Sequence, residues 1–387
     1  MIDKEHCGLI YVISCAVNNV YPSEQILGQY SLDALFTISK NHSISALVGY
    51  ALQHNNAYKQ SGSLFVEWEL SQNKILRKTI LMDEERKRIL QYMDSNDIWY
   101  VPLKGIVLKD YYPAYGLREM SDNDILFDAS CQCEMKDYMV SIGYDVVSYG
   151  NHQDDIYHKQ PVYNFELHRT LFASLFKTLY DYYANIKERL IKDQGNKCGY
   201  HFRKEDFYIY IIGHAYEHYR LGGTGLRTLI DVFLYNKKEK GLDRVYIGQE
   251  LKKTELFSFE RYCRVVSNKL FSNPKSNSIE SLSESEKKFL WYILSSGTYG
   301  TSENYIRNML KEKSNNKTIT KKSVYRYYIS RLFPNLSWYK YHIPFVYKYK
   351  VLVPFYCVYR WIKSVPKIKS ILKEIRTTND ILNNKKK

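Results

Sequence analysis

Apolar residues recur at helical spacing through residues 1–80: Leu9, Ile10, Ile13 and Val17, then Leu32, Leu35, Phe36 and Ile38, then Leu47, Val48 and Leu52. Pro22 and the Asn41-His42 corner divide this stretch into separate helices. A further helix is predicted to open near Asp83. There Glu84 and Glu85 precede Arg86, Lys87 and Arg88 and lead into Ile89, Leu90 and Met93, an order of charge that suits the helix dipole.

The period then changes. Ile98 to Leu103 is a β-branched and aromatic run that reads as a strand, and Lys104-Gly105 ends it. Ile106 to Tyr111 reads as one or two helical turns, Asp122 to Phe127 as a strand, and Cys131 to Ile142 as a helix closed by Gly143. Tyr144 to Tyr149 forms another predicted strand, and the turn Asn151 to Asp155 leads to a last one, Val162 to His168. The order α-β-α-β-α-β-β predicts an α+β fold, a small mixed sheet with helices on one side. Helical spacing returns from about 171 to 306, with Phe207, Ile211, Ile212 and Ala215 on one face of a helix ending at Gly222-Gly223. Four segments follow: helical 1–82, a mixed-sheet core 83–170, helical 171–306, and a basic aromatic tail 307–387.

Charge singles out that tail. The chain of 387 residues carries a net +15, but the part from Arg307 onward holds 20 basic and 3 acidic residues, leaving the rest near neutral. Charged content of 25% and hydrophobic content of 45% exclude wholesale disorder. No run reaches the ~18 apolar residues of a spanning helix. Gly8 to Val17 is too short, and follows acidic residues too closely, to read as a signal peptide, so a cytoplasmic protein is expected. Seven scattered cysteines without a CxxC pair argue against a disulfide framework or a zinc knuckle.

Candidate chemistry lies on the sheet. Asp122 and Asp124, two apart on a strand, send their side chains from one face at ~6–7 Å separation. Carboxylates that close repel unless a cation lies between them, and Glu166 on a neighbouring strand can bring a third. Oxygen ligands suit Mg²⁺ held together with substrate phosphates. Gly105, after a strand and before a helix, offers backbone N–H groups to a phosphate, and Lys104 adds a positive charge. Taken singly, Asp122 and Asp124 also fit turn and cap residues, Glu166 and His168 a structural pair, and Arg118 a surface cation.

In combination these residues resemble the DNA polymerase β-like nucleotidyltransferases, with a strand-ending glycine, Asp-x-Asp on the next strand and a later third carboxylate. The chain more closely resembles a bacterial group, the uncharacterised nucleotidyltransferase family. Its pattern of Lys-Gly, Tyr-Pro, Arg, Asp-x-Asp and an acidic-x-His strand stands here as Lys104-Gly105, Tyr112-Pro113, Arg118, Asp122-Asn123-Asp124 and Glu166-Leu167-His168. The resemblance extends to His214, His218, Arg227 and Asp231. It implies a metal-dependent transfer of a nucleoside monophosphate from an NTP to an unidentified hydroxyl-bearing acceptor, in cell-envelope glycan or specialised metabolism. Asp122, Asp124 and Glu166 would hold two Mg²⁺ ions, with Mn²⁺ as a substitute, and carry the catalysis. Lys104, Gly105, Arg118, His168, His214, His218 and Arg227 would contact substrate. Two departures stand out. Lys104-Gly105 replaces the usual Gly-Ser or Gly-Gly, and Asn123 occupies a place where an apolar residue packs beneath the sheet, so it needs a polar partner. The competing functions are an inactive nucleotide-binding scaffold and a zinc peptidase, the latter from His214-Ala215-Tyr216-Glu217-His218, which fits an inverted zinc-binding pattern.

The tail places 14 aromatic residues between Tyr325 and Trp361, interleaved with Arg326, Arg331, Lys340, Lys348, Lys350, Arg360 and Lys363. Such a mixture fits an anionic membrane surface on the cytoplasmic face, engaged through 325–363. Pro344, Pro354 and Pro366 divide it into pieces that would lie on a bilayer rather than span it. A nucleic acid and plain packing against the helical domain are the rival readings, and Lys385-Lys386-Lys387 reads as a frayed end.

Overall fold

A computed structural model describes residues 2–275, 278–314 and 318–383; Lys385 to Lys387 lie outside it. Two units are distinguished: Met1–Tyr216 with Gly225–Thr298, and Glu217–Thr224 with Tyr299–Lys387.

The first unit is built on a five-stranded mixed sheet. Its strands are β1 (Tyr100–Pro102), β2 (Asn123–Phe127), β3 (Asp145–Ser148), β4 (Asp154–Lys159) and β5 (Tyr163–His168), in the order β1-β2-β5-β4-β3. β2 and β5 run parallel and the other neighbours antiparallel, with Asp124 opposite Glu166 and Ile125 opposite Leu167. Alternation along the strands then sorts the side chains. Ile125, Phe127, Phe165, Leu167 and Tyr157 enter a core closed by Ile89 and Met93 of one helix and Met135 and Met139 of another. Asp124, Glu166 and His168 leave from the opposite face, so the expected α+β sheet with its acidic face is present.

Three elements differ from the pattern-based reading. β4, Asp-Asp-Ile-Tyr-His-Lys, carries only two apolar residues. It is nevertheless a strand because Tyr157 is buried and Asp155 finds donors in Gln132 Nε2 at 2.8 Å and Gly150 N at 2.7 Å. A two-stranded hairpin, β6 (Leu190–Lys192) and β7 (Tyr200–Phe202), stands within the stretch expected to be helical. The charges at 83–88 do not open a helix but lie inside one of 33 residues, Ser63–Ser95. Asp83 faces inward there, paired with Arg86 at 2.7 Å, with the Tyr115 hydroxyl at 2.8 Å and with Lys109. Arg86 in turn donates to Asn123 Oδ1 at 2.9 Å, and Asn123 Nδ2 to the Met82 carbonyl at 3.3 Å. The buried Asn123 thus has the partners its position demands.

Helices Lys4–Val17, Leu32–Asn41 and Ser45–Leu52 pack in the same unit, and their corner residue His42 is buried. Its Nδ1 accepts from Leu226 N at 3.3 Å, and burial pulls its pKa down to about 4. An unfolded histidine takes up a proton near pH ~6.5. Above that pH both states are neutral here and the contribution is complete. As pH falls toward 4 the unfolded state binds the extra proton and stability drops, by about 3 kcal/mol at pH 4. Urea midpoints measured from pH 7 to pH 4 should therefore fall more steeply for the wild-type chain than for His42→Asn.

Helices Ser302–Lys313, Lys321–Leu332 and Ile368–Asn383 of the second unit share a core of Ile306, Leu310, Ile319, Val324, Tyr327 and Ile381. A smaller cluster joins Tyr339, Val346 and Cys357. The basic aromatic tail is therefore helical where described. Pro344 and Pro354 stand in the first turns of their helices, and Pro366 lies in a 3₁₀ turn (Val365–Lys367). These are the places where a missing N–H is tolerated. Among the described residues no helix is long and apolar enough to cross a membrane.

Candidate active site

The site begins where β1 ends. Leu103 N donates to the Asp124 carbonyl at 2.9 Å, which fixes the turn against β2. Lys104 follows with φ 44° and ψ −114°, a backbone conformation that suits glycine. The departure from the usual glycine-first pattern is thus a lysine forced into a glycine's conformation, a strain of about 1–3 kcal/mol. What holds it is an ion pair: Lys104 Nζ lies 2.7 Å from Asp124 Oδ1.

Gly105 also leaves room for a side chain from another segment. A Cβ there would lie 2.5 Å from Arg118 Nη1. The residue is small because a guanidinium packs over it, and the helix it opens, Gly105–Leu108, has only 4 residues. Gly105→Ala should displace Arg118 and cost about 1–3 kcal/mol as overpacking. Gly195→Ala, where a Cβ meets nothing within 4 Å, should leave the melting temperature unchanged in the same thermal scan.

On β2 and β5 the side chains of Asp124, Glu166 and His168 come together. His168 Nε2 lies 2.8 Å from Asp124 Oδ1 and 3.9 Å from Glu166 Oε2. Asp124, Glu166 and His168 each present one ligand atom, all within 4.8 Å of one another. This is the one metal-competent group of His, Cys and acidic side chains among the described residues, and it includes His168 but neither Asp122 nor the His214-Glu217-His218 set. Asp122 borders the group, immediately before β2, and interacts with it through charge.

The electrostatics of this face are uneven. Burial alone would raise Asp124, yet the Lys104 ammonium and the His168 bond hold it well below the usual carboxylate range. Asp122 is raised by burial and by the charge of Asp124, against the pull of Lys104, Arg227 and Arg118. Glu166 is pushed up to about 9 by burial and by Asp124 and Asp122. The third carboxyl is thus the one whose ionised form is least favoured, because it lies beside two other carboxylates. A divalent cation is what such a donor set accepts, so the residues present fit the expected metal. Lys104 itself is raised above the ordinary lysine value by Asp124 despite its burial. Tyr210 also contributes to its field.

Arg118 is not directed at open space. Its Nε and Nη2 donate to Asp231 Oδ1 and Oδ2 at 2.9 and 2.8 Å, a buried bidentate pair, and the Tyr112 hydroxyl donates to the same Oδ1 at 2.8 Å. The Tyr-Pro, Arg and downstream Asp of the sequence pattern thus form one clamp that ties the segment after β1 to the helix Leu226–Lys238. Arg227, on the same helix, donates from Nη1 to the Glu119 carbonyl at 2.7 Å. Lys78, absent from the sequence-based candidates, donates to the Ser121 carbonyl at 3.2 Å and is drawn electrostatically to Asp122. It lies more than 40 positions upstream on the long helix, beside Arg77 and one turn from Lys74, where nothing local marks it out. His214 is half-buried and stacked near Tyr210, with ring centroids 6.5 Å apart, while the exposed His218 falls in the segment that belongs to the second unit.

A family model described as "Uncharacterised nucleotidyltransferase" matches residues 30–272, more than half of the 387 residues. No curated protein and no solved structure matches the chain.

Proposed function

Because the chain belongs to the uncharacterised nucleotidyltransferase family, and is a transferase of phosphorus-containing groups, we propose that it moves a nucleoside monophosphate from an NTP to a hydroxyl-bearing acceptor on the face formed by Asp122, Asp124 and Glu166. The observation that carries this reading is the meeting of Asp124 and Glu166 on adjacent strands within 4.8 Å, with Asp122 bordering them and acting on them through charge. Mg²⁺, or Mn²⁺ in its place, would be held by Asp122, Asp124 and Glu166. When bound it would offset triphosphate charge and acidify the attacking hydroxyl.

The chain's own residues do the rest. His168 and Lys104 both engage Oδ1 of Asp124, which orients the carboxylate and leaves Oδ2 outside those bonds. An imidazole that donates in this way acts as a positioning group for a ligand rather than as a ligand. Glu166, once ionised, takes the proton of the acceptor hydroxyl as its oxygen bonds to the α-phosphorus. The bond from the α-phosphorus to the bridging oxygen breaks, and pyrophosphate leaves with its electron pair. The Lys104 ammonium stands by the developing charge. Arg118, engaged by Asp231, acts by holding the Lys104-Gly105 turn, and Arg227 by fixing the backbone at Glu119. NTP supply puts the reaction in the cytoplasm.

The test is incubation of the purified chain with each NTP, ³²P-labelled at the α- or at the γ-position, with Mg²⁺ or Mn²⁺, and a lysate of its host. Metal-dependent movement of label from the α-position, but not from the γ-position, onto a product is expected. Nucleotide binding without turnover under all these conditions would overturn the reading in favour of an inactive scaffold.

A further inference from the structure

The second unit exposes a continuous apolar stripe. Val351, Phe355, Val358 and Ile362 follow one another at intervals of four, three and four residues, and they are 74%, 71%, 49% and 66% exposed. Val365, Ile368, Leu372 and Ile375 continue the stripe across the 3₁₀ turn, again at intervals of three and four, and all are exposed. The helices Val353–Ser364 and Ile368–Asn383 carry six of these residues, and the 3₁₀ turns Lys350–Leu352 and Val365–Lys367 carry Val351 and Val365. Away from the stripe Cys357 enters the small core around Tyr339, and Ile381 enters the larger one. Its eight exposed residues lie along helices of 12 and 16 residues and the 3₁₀ turns that precede them, more apolar surface than a solvated face needs.

Its charged edge narrows what can cover it. Four stripe residues are each followed directly by a base, in Ile362-Lys363, Ile368-Lys369, Leu372-Lys373 and Ile375-Arg376. One residue is a rotation of about 100° on a helix, so these four exposed cations line one border of the stripe. Glu374 does not oppose them: it is turned inward, accepting from the Tyr327 hydroxyl at 2.6 Å and from Arg331 at 3.2 Å. Glu312 is engaged by Arg220 at 2.7 Å. A second copy laid antiparallel along the stripe would bring two cationic borders together. Single-stranded nucleic acid stacks its bases on aromatic faces, whereas this stripe is aliphatic apart from Phe355. An anionic lipid surface answers both features, acyl chains for the stripe and headgroups for the cations.

We propose that the surface from Val351 to Arg376 is an interfacial membrane-binding element that lays this stripe into the headgroup boundary of an anionic bilayer. It lies partly beyond the aromatic stretch 325–363 expected from sequence, and it does not depend on the transferase chemistry. Flotation of the full chain with phosphatidylcholine vesicles, with and without phosphatidylglycerol, tests it. The wild type should float with the anionic vesicles alone and be released by high salt. Phe355→Glu/Ile362→Glu, at exposed positions, should abolish flotation while melting temperature and label transfer in solution stay as in the wild type. Lys369→Gln/Lys373→Gln/Arg376→Gln should weaken partitioning roughly 100-fold. Absence of flotation, or flotation unchanged in the double variant, would overturn the proposal. So would a dimer by light scattering that the double variant converts to monomer without any vesicle binding, or binding of a single-stranded RNA oligonucleotide in place of vesicles.

Discussion

Asp124→Asn is expected to abolish label transfer, by about 10³-fold or more, and to destabilise the fold at the same time. Both effects come from one atom. Oδ1 of Asp124 accepts from Lys104 and bonds His168, and the carboxylate supplies the negative charge that keeps a buried lysine protonated. Replacing it leaves the Lys104 charge buried without its partner, a loss of about 3–5 kcal/mol, added to the strain of a positive φ that the ion pair no longer offsets. A double variant separates the two effects. Lys104→Met/Asp124→Asn removes the stranded charge and should recover most of the unfolding free energy in urea, while transfer stays lost. If stability and transfer returned together, Asp124 would be a structural anchor only.

The second large effect concerns the clamp. Asp231→Ala strands the Arg118 guanidinium and the Tyr112 hydroxyl in the interior, which should lower stability by about 3–5 kcal/mol. Arg118 packs over Gly105, so the Lys104 turn loosens as well, and kcat should fall 10–100-fold in any variant that folds. Arg118→Lys tests the geometry apart from the charge. A lysine cannot reproduce two parallel bonds to one carboxylate, so kcat should fall with little change in KM for the NTP. A rise in KM alone would place Arg118 on the triphosphate directly.

These residues differ in how far the sequence discloses them. Asp124 and Glu166 are legible because strand alternation is local: two carboxylates with period two, and a third on a strand readable on its own terms. Lys104 and Gly105 are visible as a turn, but their physical roles are not. One is a strained lysine paired across to β2, the other a gap for a guanidinium. The Arg118–Asp231 pair spans 113 positions, and such a pair leaves no local periodicity. Asp83 and its basic neighbours imitate a helix start because charge order alone does not distinguish a first turn from an inward-facing network. β4 escapes notice for a related reason, since its polar residues are satisfied by side chains from elsewhere. In the second unit the aromatics draw attention in the sequence, yet several, such as Tyr327 and Tyr339, are core. The exposed stripe is mostly aliphatic.

The Asp122, Asp124 and Glu166 face is expected to bind a divalent ion together with the NTP. Anomalous diffraction from a crystal grown with Mn²⁺ and an α,β-nonhydrolysable NTP analogue measures it most directly. A manganese peak is expected, bonded to Asp122, Asp124 and Glu166 carboxylate oxygens and to phosphate oxygens, with Lys104 and His168 still beside Asp124. Analogue bound with no manganese on this face, or manganese held elsewhere, would contradict it.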